Sequence, residues 1–132
     1  MMSLILFEQD WLKYPTARPD FSTKNKSAIK LAQKLRLMGI KNHLFFLALF
    51  DQGLVGVDPH DEHLSQEMME RVGIECARNP WYFFREVARA PALSGTESKR
   101  VEFNRSNVCL WWCFFNHITI ILTQPRQTGK FY

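Results

Sequence analysis

Ile118-Thr-Ile-Ile-Leu-Thr-Gln-Pro-Arg-Gln-Thr-Gly-Lys-Phe-Tyr132 is the stretch on which the fold reading turns. Its first half, Ile118 to Thr123, is a β-branched apolar run that predicts a strand. Its second half, Pro125-Arg126-Gln127-Thr128-Gly129-Lys130, has the composition of a phosphate-binding turn. A strand would fix the turn in place, and the backbone N–H groups of the turn would wrap phosphate oxygens. Gly129 permits close approach of the main chain, and the Lys130 ammonium offsets phosphate charge. Two positions depart from the usual pattern: Gln124 stands where glycine is common, and Phe131 where a serine or threonine would ligate Mg²⁺.

Upstream of this stretch the spacing of apolar residues is helical. Residues 1–14 predict a short amphipathic helix, followed by a connector holding Pro15 and Pro19. Ala28, Leu31, Leu35 and Met38 predict a helix from Ser27 to Met38 with Gly39 as its C-terminal cap. Lys41 to Phe50 reads as a second helix, ended by Asp51-Gln52-Gly53, and 53–61 as a loop. A third helix is predicted over Glu62 to Cys76, with Leu64, Met68, Val72 and Cys76 on one face. Asn79 caps a fourth that begins at Pro80 and turns Trp81, Phe84 and Val87 inward. Residues 90–102 read as a polar loop, and Asn104 to Asn116 as a fifth helix. The fold class expected is therefore mainly α, four to five helices followed by one strand and a P-loop. That order is the N-terminal part of an α/β P-loop NTPase fold.

The chain has 132 residues, 46% of them hydrophobic and 14% aromatic, which favours a packed core over disorder. A net charge of +4 permits contact with polyanions without requiring it. Cys76, Cys109 and Cys113 lie in apolar, helix-like stretches without disulfide spacing, which points to a reducing compartment. The start lacks the basic region of a signal peptide. The runs Leu44 to Phe50 and Val108 to Phe115 fall short of the roughly 18 residues that span a bilayer. A soluble protein without a membrane partner is expected.

The Pro125–Lys130 loop resembles the deviant Walker A motif of phage terminase large subunits, the P-loop ATPases that package DNA into capsids. That family often lacks the first glycine and often carries Arg-Gln within the loop. The resemblance extends upstream, to the aromatic-rich helix before the strand and to Asn79-Pro80-Trp-Tyr-Phe-Phe. It implies a helical lid-like region over 1–78 and the start of the ATPase core over 79–132. By the same resemblance Lys130 binds phosphate, Arg126 acts near the γ-phosphate, and both carry the catalytic roles. Gln124, Pro125, Gln127, Thr128 and Gly129 complete the cradle, and Asn107 occupies the place of the glutamine that reads adenine. The implied cofactors are ATP and Mg²⁺ in the complete motor. The implied partners are the remainder of the large subunit, DNA and the portal, in the cytoplasm of an infected host cell. With Phe131 in place of a hydroxyl and no acidic strand end after Lys130, the chain alone is expected to be inactive as an ATPase. An interrupted reading frame within the P-loop codons would account for that arrangement. The alternative expectation is a stand-alone helical module that binds DNA or the packaging machinery.

Three further clusters compete with blander explanations. Lys26, Lys30 and Lys34 recur at i, i+4 and i+8, a basic stripe that could neutralise DNA phosphates or simply face water. Cys109, Cys113 and His117 share that spacing, but i and i+8 lie about 12 Å apart along a helix, too far for one tetrahedral zinc. Asp58-Pro-His60-Asp61-Glu62-His63 reads as a hydrated loop with Asp61 near a helix N-terminus. Trp111 and Trp112 point in different directions on a helix, which allows one of them to be exposed.

Overall fold

A computed structural model describes residues 17–40, 44–91 and 97–123. The expected helix over 1–14 and the loop 124–130 lie outside these residues. Helix α1 (Lys26–Leu37) starts where the Asn25 side chain accepts from the Ala28 N–H. It ends at Met38, with Gly39 at φ +83°, a left-handed turn that glycine adopts without a Cβ penalty. Ala28, Leu31, Ala32 and Leu35 form its buried face. The expected helix over Lys41 to Phe50 is not formed in its described part. Phe45–Leu47 is a single 3₁₀ turn, and Ala48–Leu49 is strand β2, antiparallel to β1 (Arg18–Pro19) with Pro19 opposite Ala48. Every residue from Phe45 to Leu49 is buried, so the run has no solvent face and no helical period to keep.

A second 3₁₀ turn, Gln52–Leu54, leads through a loop to helix α2 (Gln66–Arg78). The helix starts four residues later than its apolar spacing predicts, because the Ser65 hydroxyl accepts from the Met68 N–H and sets the first turn. Helix α3 begins with Pro80–Tyr82 and widens into a π-helical turn over Phe83–Val87, closed by the Ala88 N–H donating to the Phe83 carbonyl at 2.8 Å. The stretch read as a loop from residue 90 instead contributes a hairpin. Strands β3 (Arg89–Pro91) and β4 (Ser98–Arg100) pair antiparallel with Ala90 opposite Lys99. Helix α4 (Arg105–Phe115) is capped by the Asn104 side chain, which accepts from the Asn107 N–H.

The expected strand over Ile118 to Thr123 is not present. At the end of α4, His117 takes a left-handed φ of +56° and the Ile118 N–H donates back to the Cys113 carbonyl. The chain then leaves the helix without joining either two-stranded sheet. A β-branched run has high strand propensity, but a strand exists only against a hydrogen-bonded neighbour, and no described strand pairs with this segment. About half of the described residues are helical, and together with two small sheets they make a mixed α/β architecture rather than a mainly α one.

Two apolar clusters hold these elements together. The larger joins α1, the Phe45–Leu47 turn, α3 and α4 around Trp81, Phe103 and Trp111. It takes residues from both sides of position 78. Trp81 meets Phe45 and Phe115 edge to face at 5.3 and 5.0 Å between ring centres, and Phe84 stacks on Trp111 at 4.8 Å. Trp111 and Trp112 are both buried, and both belong to this cluster. The smaller cluster gathers Leu49, Leu54, Val72 and Tyr82, with Leu64, Met68 and Cys76 packed on it as their spacing predicts.

Asn79 ties the two together. Its Oδ1 accepts from the Tyr82 N–H, while its Nδ2 donates to the Ala48 carbonyl (2.7 Å) and to Glu75 Oε1 (3.0 Å). Glu75 is only 1% exposed, and its carboxylate also accepts from the Phe50 and Asp51 N–H groups at 2.9 and 3.0 Å. The Asn-Pro-aromatic sequence is thus the joint between α2, β2 and α3.

Candidate functional site

Helix α4 and the segment after it precede residues 124–130, the stretch expected from sequence to bind phosphate. Asn107, expected to face a nucleobase, lies in the first turn of α4 and is buried. Its side-chain amide donates to the Glu102 carbonyl at 2.9 Å, which fastens the turn that precedes the helix. One helical turn apart, Cys109 and Cys113 are half-buried, and burial pushes the Cys109 thiol up. The segment 118–123 passes outside α4, and Ile120, Leu122 and Thr123 enclose a groove of about 660 Å³ with Arg105, Cys109 and Cys113. Ile121 is 94% exposed. Gln124, Pro125, Arg126, Gln127, Thr128, Gly129 and Lys130 follow directly and lie outside the described residues.

Helix α1 carries the basic stripe. Lys26, Lys30 and Lys34 are all exposed. The structure separates them by surroundings: Lys30 and Lys34 border a groove of about 570 Å³ that Arg105 borders from the other side, whereas Lys26 does not reach it. Leu31, Leu35 and Phe103 line the groove. The stripe is therefore the rim of an apolar trough, not a purely solvated face. Spacing alone missed Arg105, because its place beside α1 depends on a contact between segments some seventy residues apart in sequence.

The loop at 58–63 holds itself by local bonds. Asp58 accepts from the His60 N–H at 3.0 Å, which lowers the Asp58 carboxyl below its ordinary value, and Asp61 accepts from the His63 N–H at 2.9 Å. Because α2 begins at Gln66, Asp61 sits in this turn and not at the helix N-terminus expected for it. The His60 ring reaches the Val87 carbonyl at 2.9 Å. Among the described residues no three histidine, cysteine, aspartate or glutamate side chains gather as metal ligands would.

The densest charge cluster lies inside the protein and escaped sequence reading. Arg85 is fully buried between Asp20 (3.2 Å) and Glu86 (3.1 Å), and its Nη1 donates to the Phe46 carbonyl. Glu86 also receives Arg100 at 2.7 Å and the Thr23 hydroxyl. Two cations and two carboxylates thus neutralise one another, as burial of charge requires. The available signal was Arg85-Glu86 within an apolar helix, Trp81 to Val87, but nothing local identifies partners more than sixty residues away.

No family model matches the chain, and no curated protein or solved structure matches it significantly. Among the described residues no helix is long and apolar enough to cross a membrane.

Proposed function

We propose that this chain carries the nucleotide-phosphate loop of a terminase-like DNA-packaging ATPase. The observation that supports this reading is the sequence Pro125-Arg126-Gln127-Thr128-Gly129-Lys130 directly after an apolar β-branched segment. In this reading the backbone of Gln127 to Gly129 cradles the phosphates, with Gln124 and Pro125 leading the chain into the turn. Lys130 offsets their charge, Arg126 lies at the γ-phosphate, and Asn107 is the amide toward the base. The partners are the rest of a packaging ATPase, DNA and the portal. ATP is the ligand, and Mg²⁺ belongs to the assembled motor, where it would offset phosphate charge. The Phe131 side chain has no oxygen with which to hold it. Binding, not hydrolysis, is therefore the property to measure.

A fluorescent ATP analogue titrated into the protein should bind, and Lys130→Ala should weaken that binding tenfold or more, since one phosphate-paired lysine contributes on the order of 1.5–3 kcal/mol. Equal binding by Lys130→Ala, or none by the parent chain, rejects the nucleotide reading. A second reading, a helical interaction module, is favoured by the trough between α1 and α4.

A further inference from the structure

The trough beside α1 joins two features that a solvated helix face does not need. Its floor is carbon, formed by Leu31, Leu35 and Phe103, and at one end Leu37 and Met38 stand 88% and 55% exposed. Its rim is cationic. Lys30 and Lys34 project one helical turn apart, Arg105 faces them, and none of the three forms an ion pair among the described residues. Exposed apolar surface beside unpaired charge of one sign is the pattern of a recognition groove.

We infer that this trough docks an amphipathic helix from another protein, its apolar face on the exposed Leu37 and Met38 and acidic residues at i and i+4 against Lys30 and Lys34. A volume of about 570 Å³ takes a few large side chains, as in helix-in-groove recognition. The i, i+4 spacing of the lysines matches the same spacing on a facing helix. Nucleic acid fits less well. Phe103, the aromatic ring in the trough, is only 1% exposed and offers no stacking face, and the exposed Leu37 and Met38 are carbon surface that a phosphate backbone does not use. This inference does not depend on the phosphate loop.

The test uses the full chain and a fluorescein-labelled synthetic peptide of about 15 residues, long enough for a helix, with leucines along one face and glutamates at i and i+4 beside them. Anisotropy should report saturable binding. The exposed double variant Lys30→Glu/Lys34→Glu should weaken it about tenfold and bind a peptide with lysines in place of those glutamates better than the parent does. Met38→Ser should weaken peptide binding severalfold. Parent and variants should keep the same urea midpoint, since all three positions are exposed. No binding by the parent, or affinity unchanged by the charge reversal, overturns the inference. Displacement of the peptide by an equal charge of duplex DNA, with Met38→Ser without effect, overturns it in favour of a polyanion site. Concentration-dependent dimerisation that the charge reversal abolishes overturns it in favour of a second copy of this chain.

Discussion

Replacing Glu86 with glutamine should destabilise the protein far more than the loss of one exposed ion pair would. The glutamine keeps the shape but leaves two cations facing one carboxylate, and its NH₂ group must point at Arg85 or Arg100. Arg85 is fully buried, so water cannot replace what it loses; Arg100, whose side chain is 27% exposed, can turn outward. Breaking a buried pair by removing one partner costs about 3–5 kcal/mol, and the freedom of Arg100 places this case near the lower figure. With a urea slope of roughly 1.5 kcal/mol/M, a loss of about 3 kcal/mol lowers the unfolding midpoint by about 2 M. The buried Trp81, Trp111 and Trp112 provide the fluorescence signal. The decisive comparison is the cycle with Arg85→Met/Glu86→Gln, which removes the stranded guanidinium but leaves the buried Asp20 without its ion pair. The double variant should lose less than the two single variants added together, with a coupling of at least about 1 kcal/mol between the two sites. If the double variant loses as much as the two single variants added together, the carboxylate and the guanidinium act independently and the reasoning fails.

Asn79→Ala should cost about 2–4 kcal/mol, combining a lost helix cap with the Ala48 carbonyl and Glu75 left short of a donor; urea unfolding that moves by less than about 1 kcal/mol would contradict the joint described for it. Asp51 is held below the ordinary carboxylate range, first by its hydrogen bonds from Arg71, at 2.6 and 2.7 Å. Its contribution to stability is therefore complete above the unfolded value of about 3.9 and is lost as the pH falls through the lower folded value. Asp51→Asn should flatten the part of the urea-midpoint profile below about pH 5, and an unchanged profile would remove Asp51 from the account.

The helices α1 and α4 were legible from sequence to within a residue or two, whereas α2, capped by Ser65, begins four residues after the start its apolar spacing predicts. Asn25 and Gly39 bracket α1, Asn104 and Asn116 bracket α4, and each cap acts on amides or carbonyls within a few residues of itself. Segments decided by distant partners were not. Phe45 to Leu49 looks helical by composition, yet its strand exists because Arg18–Pro19 lies alongside. Ile118 to Thr123 looks like a strand, yet strand propensity has no effect where no neighbour supplies the hydrogen bonds. The candidate site divides the same way. The lysines of α1 were visible in their spacing, while Arg105 and the carbon floor required the packing of α4 against α1. The Arg85 cluster required the chain near Asp20 to meet the far side of α3.

The π-helical turn in α3 bears on how the protein comes apart. Within eight residues α3 sends Trp81 and Phe84 into one apolar cluster and Tyr82 and Val87 into the other, and Asn79 bolts its start to α2 and β2. Helix α3 cannot leave its place without opening both clusters. The amides of Phe83 to Ala88 should therefore exchange with solvent only through complete unfolding, which makes this short, irregular helix the slowest-exchanging segment of the chain.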